Sequence, residues 1–316
     1  MKEKNAFRSS AAVFQNIFKS FGLVLLLMGL VLALSTLLGY WLGDIRSGLL
    51  TGMVLCAVFL PLQMAMAKRT ILAMTRGRPL AGGTPQEAAV RDIAERLSRR
   101  AGFSRVPDLY VTSSTEPNAF ASGTSPSNAF IGVTQGLLDR LDYGELEGVL
   151  AHEMSHIAHR DILVSQLAVS LVSVILLLSS FLNRFFLFGG RRRSSNRGNG
   201  GGGAALLLLA LLALLLQPLA MIISNLIQLA ISRKREYAAD AGAVALCGAG
   251  RGLASALEKI SGASYSRQQV QDLGGAQMQS MYIYFPKQRL NSLFSTHPPV
   301  EERIRRLREM GPEGPF

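Results

Sequence analysis

The chain has 316 residues, 49% of them hydrophobic and only 17% charged, and its 33 Lys plus Arg against 21 Asp plus Glu leave a formal charge of +12. Disorder needs low hydrophobicity with high charge, and a water-soluble domain carries about 25% charged residues, so both classes are excluded in favour of a chain that meets a membrane. Two cysteines exclude a disulfide framework, and basic residues that flank apolar runs without interleaved aromatics exclude nucleic acid as partner.

In chain order, a tail over 1–20 precedes two uncharged runs, 21–43 and 48–67, which read as a membrane hairpin with Tyr40 and Trp41 as an interfacial aromatic pair. Pro61 inside the second run is better tolerated in a span than in a soluble helix. Two further runs, 162–182 and 204–231, form a second hydrophobic hairpin around a Gly- and Arg-rich connector over 183–203, either as two crossings or as a hairpin that does not fully cross. With four spans, eleven basic residues (Lys2, Lys4, Arg8, Lys19, Lys68, Arg69, Arg76, Arg78, Arg233, Lys234 and Arg235) fall on one side and six on the other. The excess puts the polar segments 68–161 and 233–316 in the cytoplasm.

Within 68–161, Thr84, Pro85 and Glu87 read as an N-cap, a first-turn proline and a capping-box acid, followed by Val90, Ile93, Ala94 and Leu97 at helical spacing. Strand-like runs follow at 108–112, 118–122 and 128–133. Asp142 and Glu145 then cap a helix expected to run through to Asp161. The resulting fold class is mainly α with a small β-sheet, in a polytopic membrane protein with about four hydrophobic helices.

That last helix carries the chemistry. His152 and His156 are four apart and share a face, so both imidazoles reach one metal ion, while Glu153 stands beside it to hold a water. A catalytic zinc needs a third protein ligand and an open position. The candidates are His159, Glu236, Asp240 and His297; His159 lies about 10 Å along the helix axis from His152 and is poorly placed. Glu236 and Asp240 sit four apart on a helix just past the last apolar run, which suits one zinc ligand and one acid that accepts the spare N–H of a ligand His. From 264 to 295, Met278, Met281, Tyr282, Tyr284 and Phe285 among polar residues read as a mobile lid or substrate wall, against a plain packed loop.

The HEMSH helix, the NAFAS strand, the EYAAD run after a hydrophobic pair and STHPPVEER near the end together resemble the HtpX-type membrane zinc metalloproteases, a quality-control group related to the prenyl-protein endopeptidases. The resemblance implies a gluzincin-type domain facing the cytoplasm from the cell inner membrane, with one Zn2+ on His152, His156 and Glu236 and Glu153 as general base. It implies polypeptide substrates, especially misfolded membrane proteins, gripped along Asn118, Ala119, Phe120 and Ala121. It also assigns His297 and Arg303 to the tetrahedral intermediate, with Tyr237 a weaker donor. A catalytically silent membrane adaptor with a structural metal is the alternative; a transporter is disfavoured because the spans lack buried ionisable residues.

Overall fold

The structure, a computed structural model, describes residues 10–167, 233–262, 283 and 298–310. The third and fourth apolar runs beyond residue 167, the connector over 183–203, the aromatic residues expected as a lid or wall, and His297 lie outside the described residues. Two compact units divide the rest: one holds 22–65 with 167, the other 10–21, 66–166, 233–262, 283 and 298–310.

The first unit is built from residues 22–42 of helix α1 (Ser10–Leu42) and 45–65 of helix α2 (Ile45–Met74, with Pro61 inside it). They turn at Gly43, whose φ of 91° favours glycine, and Asp44 caps α2 by accepting from the Arg46 and Ser47 N–H groups at 3.0 and 3.2 Å. A side chain on Gly48 would lie 2.5 Å from the Ser35 carbonyl oxygen, so the helices approach only because that residue has none. Residues 20–37 have a mean hydropathy of 2.3 and are mostly unburied; the apolar stretch of α2, 45–58, is shorter. Leu25, Leu26, Leu50, Val54 and Val58 are all exposed, an arrangement suited to an apolar surrounding.

The second unit is helical with a small mixed sheet. Strands β1 (Arg78–Pro79), β2 (Asp108–Thr112), β3 (Ala119–Gly123) and β4 (Ala129–Thr134) lie in the order β1-β2-β4-β3. β2 and β4 are parallel, Tyr110 opposite Gly132, and β3 is antiparallel to β4 with Phe120 opposite Gly132. β3 is therefore the end strand of the sheet. It starts and ends one residue later than its alternation suggests, because the Asn118 carbonyl and amide are spent on Thr134.

Helix α3 (Pro85–Ala101) forms where its signals lie: the Thr84 hydroxyl accepts from the Glu87 N–H at 3.2 Å, and Gly102 ends it at φ 67°. Glu87 is not the reciprocal cap. Its carboxylate reaches further back, to the Gly82 N–H at 2.8 Å and to Arg78 at 2.7 Å, tying the chain before the helix to its first turn. Val90, Ile93, Ala94 and Leu97 are fully buried, each larger aliphatic contributing about 1.5–3 kcal/mol.

Short helix α4 (Gln135–Arg140) leads to α5 (Tyr143–Ala158), the central element, packed against α3, β3 and two later helices, α6 (Arg233–Cys247) and α7 (Arg251–Ser261). Asp142 and Glu145 make a reciprocal capping box at 2.9 Å each way. Gly148 lets α7 approach: a side chain there would lie 2.5 Å from the Leu253 nitrogen. Helix α8 (Val300–Glu309) packs on α7 and α6. α5 does not continue to Asp161 as its sequence suggests. It stops at Ala158, Arg160 takes a left-handed φ of 60°, and a new helical run begins at 161.

Candidate metal and catalytic site

Because α5 is regular, His152 and His156 share a face and their Nε2 atoms stand 3.1 Å apart. Glu236, in the first turn of α6, brings Oε2 to 3.8 Å from His152 Nε2 and Oε1 to 3.6 Å from His156 Nε2. Three donor atoms, one from each residue, lie within 4.8 Å of one another. Ligands bonded to zinc at roughly 2.0–2.2 Å in a tetrahedron sit about 3.3–3.6 Å apart, so the spacing fits one ion.

The outer nitrogens test that fit. His152 Nδ1 is 2.9 Å from Asp240 Oδ1, and His156 Nδ1 is 2.9 Å from Asp161 Oδ2. His156 Nδ1 is hydrogen-bonded to Asp161, whereas His152 Nδ1 lies close to Asp240 without the direction of a hydrogen bond; the His156 Nε2 lone pair then faces His152 and Glu236, a donor set that suits a cation between them. Burial pushes the His152 ring down to about 4; at His156 burial is outweighed by Asp161 and the nearby Glu236, which raise it to about 9.

Asp161 is a site residue that helical periodicity hides. In a continuous helix a residue five positions on points about 140° away from His156, and only the break at Arg160 turns it back. Arg235 Nη1 stands 3.4 Å from its other oxygen, and the His156 ring and that guanidinium hold its carboxyl below the usual range against the cost of burial. Replacing Asp161 by Asn should lower zinc affinity by about 10–100-fold, the usual cost of losing such a partner. Competition against a chelator checks this, and unchanged affinity would remove Asp161 from the site.

Arg303, on α8, is almost fully buried and makes two bonds to Asp240, Nε to Oδ2 at 2.9 Å and Nη2 to Oδ1 at 2.7 Å. Its Nη1 is 3.4 Å from Glu236 Oε2 and donates to the Ile283 carbonyl at 3.2 Å. A third helix thereby fixes both acids of α6, and breaking such a buried pair typically costs about 3–5 kcal/mol. The guanidinium is engaged with protein groups on every side described.

Glu153 is buried beside the histidines, and the Ala121 main-chain N–H faces its carboxylate. Burial, with the nearby Glu236 adding to it, pushes this carboxyl up to about 7. Along β3 the Asn118 carbonyl accepts from the Thr134 N–H, so alternate residues Asn118, Phe120 and Ser122 turn their main chain to β4. Of the four residues expected to meet substrate, Ala119 and Ala121 turn theirs away from β4, where the Ala119 carbonyl accepts from the Ile283 N–H at 3.1 Å. Phe120 is buried, its ring edge-to-face with Phe130. His159 stands outside the metal group, with Nδ1 3.4 Å from the Ser155 hydroxyl, and the Tyr237 ring lies under Arg306 at 4.0 Å.

The model of peptidase family M48 matches residues 85–311. A "Protease HtpX homolog" of Syntrophotalea carbinolica is 40% identical over 87% of this chain and 94% of its own. One of Pelotomaculum thermopropionicum is 37% identical over 91% and 98%, respectively. A solved structure, that of S. mikatae Ste24p, is 22% identical with a TM-score of 0.46 over 95% of this chain and 66% of the other. A match over most of the chain, together with relatives of this identity and coverage, establishes the assignment: the chain belongs to peptidase family M48.

Proposed function

We propose that this zinc-dependent protease is a multi-pass protein of the cell inner membrane whose cytoplasmic domain, formed by 68–161 and 233–316, hydrolyses misfolded or damaged membrane proteins. The observation that carries the residue assignment is the convergence of His152, His156 and Glu236 next to the buried Glu153 and to β3, the end strand of the sheet among the described residues. The long apolar window in α1 and the uncovered apolar side chains of α1 and α2 support the membrane reading.

His152, His156 and Glu236 would hold the ion. When bound, zinc supplies a Lewis acid that acidifies water and polarises a carbonyl. The chain's own residues do the rest. Ala119 and Ala121 offer main-chain groups to an extended peptide. Glu153 takes a proton from water and returns it to the leaving amine. Asp161, hydrogen-bonded to His156 Nδ1, leaves that ring's Nε2 aimed inward, and Asp240 stands behind His152. Arg303, committed to Asp240 and Glu236, acts as a positioning residue in this reading.

A metal kept only for structure would use a fourth Cys or His, and among the described residues the group holds no such residue. The test is purified protein in detergent: it should bind one zinc per chain and cut casein, lose both with a chelator, and recover both on zinc addition. A zinc-loaded protein that leaves casein intact would favour the silent adaptor.

A further inference from the structure

Behind each of the two histidines stands an acid, and behind each acid an arginine. His152 Nδ1 lies 2.9 Å from Asp240, which Arg303 of α8 holds by two bonds at 2.9 and 2.7 Å. His156 Nδ1 bonds Asp161 at 2.9 Å, and Arg235 Nη1 donates to the other Asp161 oxygen at 3.4 Å. The two chains differ in where the arginine comes from. Arg303 arrives from a separate helix, whereas Arg235 directly precedes Glu236 in the first turn of α6. Successive residues of a helix point about 100° apart, so Arg235 and Glu236 leave α6 on different sides, the one towards Asp161 and the other towards the two rings. The contact spans 74 positions of sequence and joins the turn that follows α5 to the start of α6.

Burial gives the contact its weight. Asp161 is 5% exposed and Arg235 9%, and a carboxylate so far from water needs a compensating charge. A histidine that gives its Nε2 lone pair to a metal is a neutral ring, which offers Asp161 an N–H but no net charge. The guanidinium offers the charge. Building on the reading of His156 and Glu236 as zinc ligands, we infer that Arg235 is a positioning residue of the metal centre: by pairing with Asp161 it keeps that carboxylate on His156 Nδ1 and sets the first turn of α6 so that Glu236 faces the two imidazoles. One side chain then orients two ligands, the first through an acid and the second through the main chain it shares. An arginine that merely packed α6 against its neighbours would serve the fold equally well with or without an acid at 161.

That contrast is read by a double-mutant cycle on zinc affinity, measured by chelator competition on the full chain in detergent, with the parent, Arg235→Met, Asp161→Asn and the double variant. Arg235→Met should weaken zinc binding on the order of tenfold, the low end for an outer partner of a ligand. Arg235→Lys should recover most of that loss, because the arginine reaches Asp161 by a single nitrogen. With Asp161→Asn already in place, Arg235→Met should cause no further loss. The cobalt-substituted protein gives a second readout: its visible absorption bands, which follow ligand geometry, should change with Arg235→Met and return with Arg235→Lys. An equal loss of affinity in both backgrounds would make Arg235 a packing residue of α6, and unchanged affinity of Arg235→Met alone would detach it from the metal; either result overturns the inference. Should Arg235→Met lose its thermal transition, the same cycle with Arg235→Gln is read in the same way. The cycle measures binding alone, so a zinc-loaded parent that leaves casein intact counts against the protease reading and not against this one.

Discussion

Replacing Glu153 by Gln should reduce casein cleavage by about 10²–10⁴-fold, the usual contribution of a positioned general base, or about 3–5 kcal/mol in barrier height, while zinc content stays at the parent level. The separation of the two effects follows from geometry. The donor group consists of His152, His156 and Glu236, and the Glu153 carboxylate faces the Ala121 N–H, to which a glutamine oxygen can also accept. The amide has the same shape and can stay in the buried space, but it cannot take a proton from water. Metal analysis beside the rate measurement separates a lost base from a lost ion. Cleavage at the parent rate would remove Glu153 from the chemistry altogether.

Replacing Glu236 by Ala should do the opposite: zinc is lost first and activity with it. Loss of an acid behind a ligand costs about 10–100-fold in affinity, so loss of the ligand itself should exceed roughly 100-fold. The change also removes a negative charge from beside Arg303 and from beside His156, whose raised pKa it helps to sustain. At saturating zinc, partial recovery in Glu236→Asp but not in Glu236→Ala would identify the carboxylate as the cause. Zinc content equal to the parent's in the alanine protein would move the third ligand elsewhere.

The parts of this site that reside in local pattern were legible from the residues. Thr84 with Pro85 marked α3, Asp142 with Glu145 marked α5, and the spacing of His152 and His156 needed only a regular helix to become a pair of converging rings. Glu236 and Asp240 were readable because two acids four apart on one helix face can serve as a ligand and the partner of a ligand. What stayed hidden depends on breaks and on distant pairing. Asp161 reaches His156 only because Arg160 adopts a left-handed conformation, and nothing in periodicity announces that. The parallel pairing of β2 with β4, which leaves β3 at the end, depends on contacts across the chain rather than on alternation within a strand. Ile283 carries no helical or strand period, and it meets Ala119 and Arg303 through two main-chain bonds that any residue type but proline can make.

Glu236 follows His156 by 80 residues, and Arg303 follows Glu236 by a further 67. During synthesis, therefore, the emerging polypeptide carries a histidine pair with no carboxylate to complete it until the ribosome has passed the long apolar stretch in between. The three donor atoms therefore come together only when most of the chain has been made, and a copy truncated before Glu236 carries the histidine pair alone.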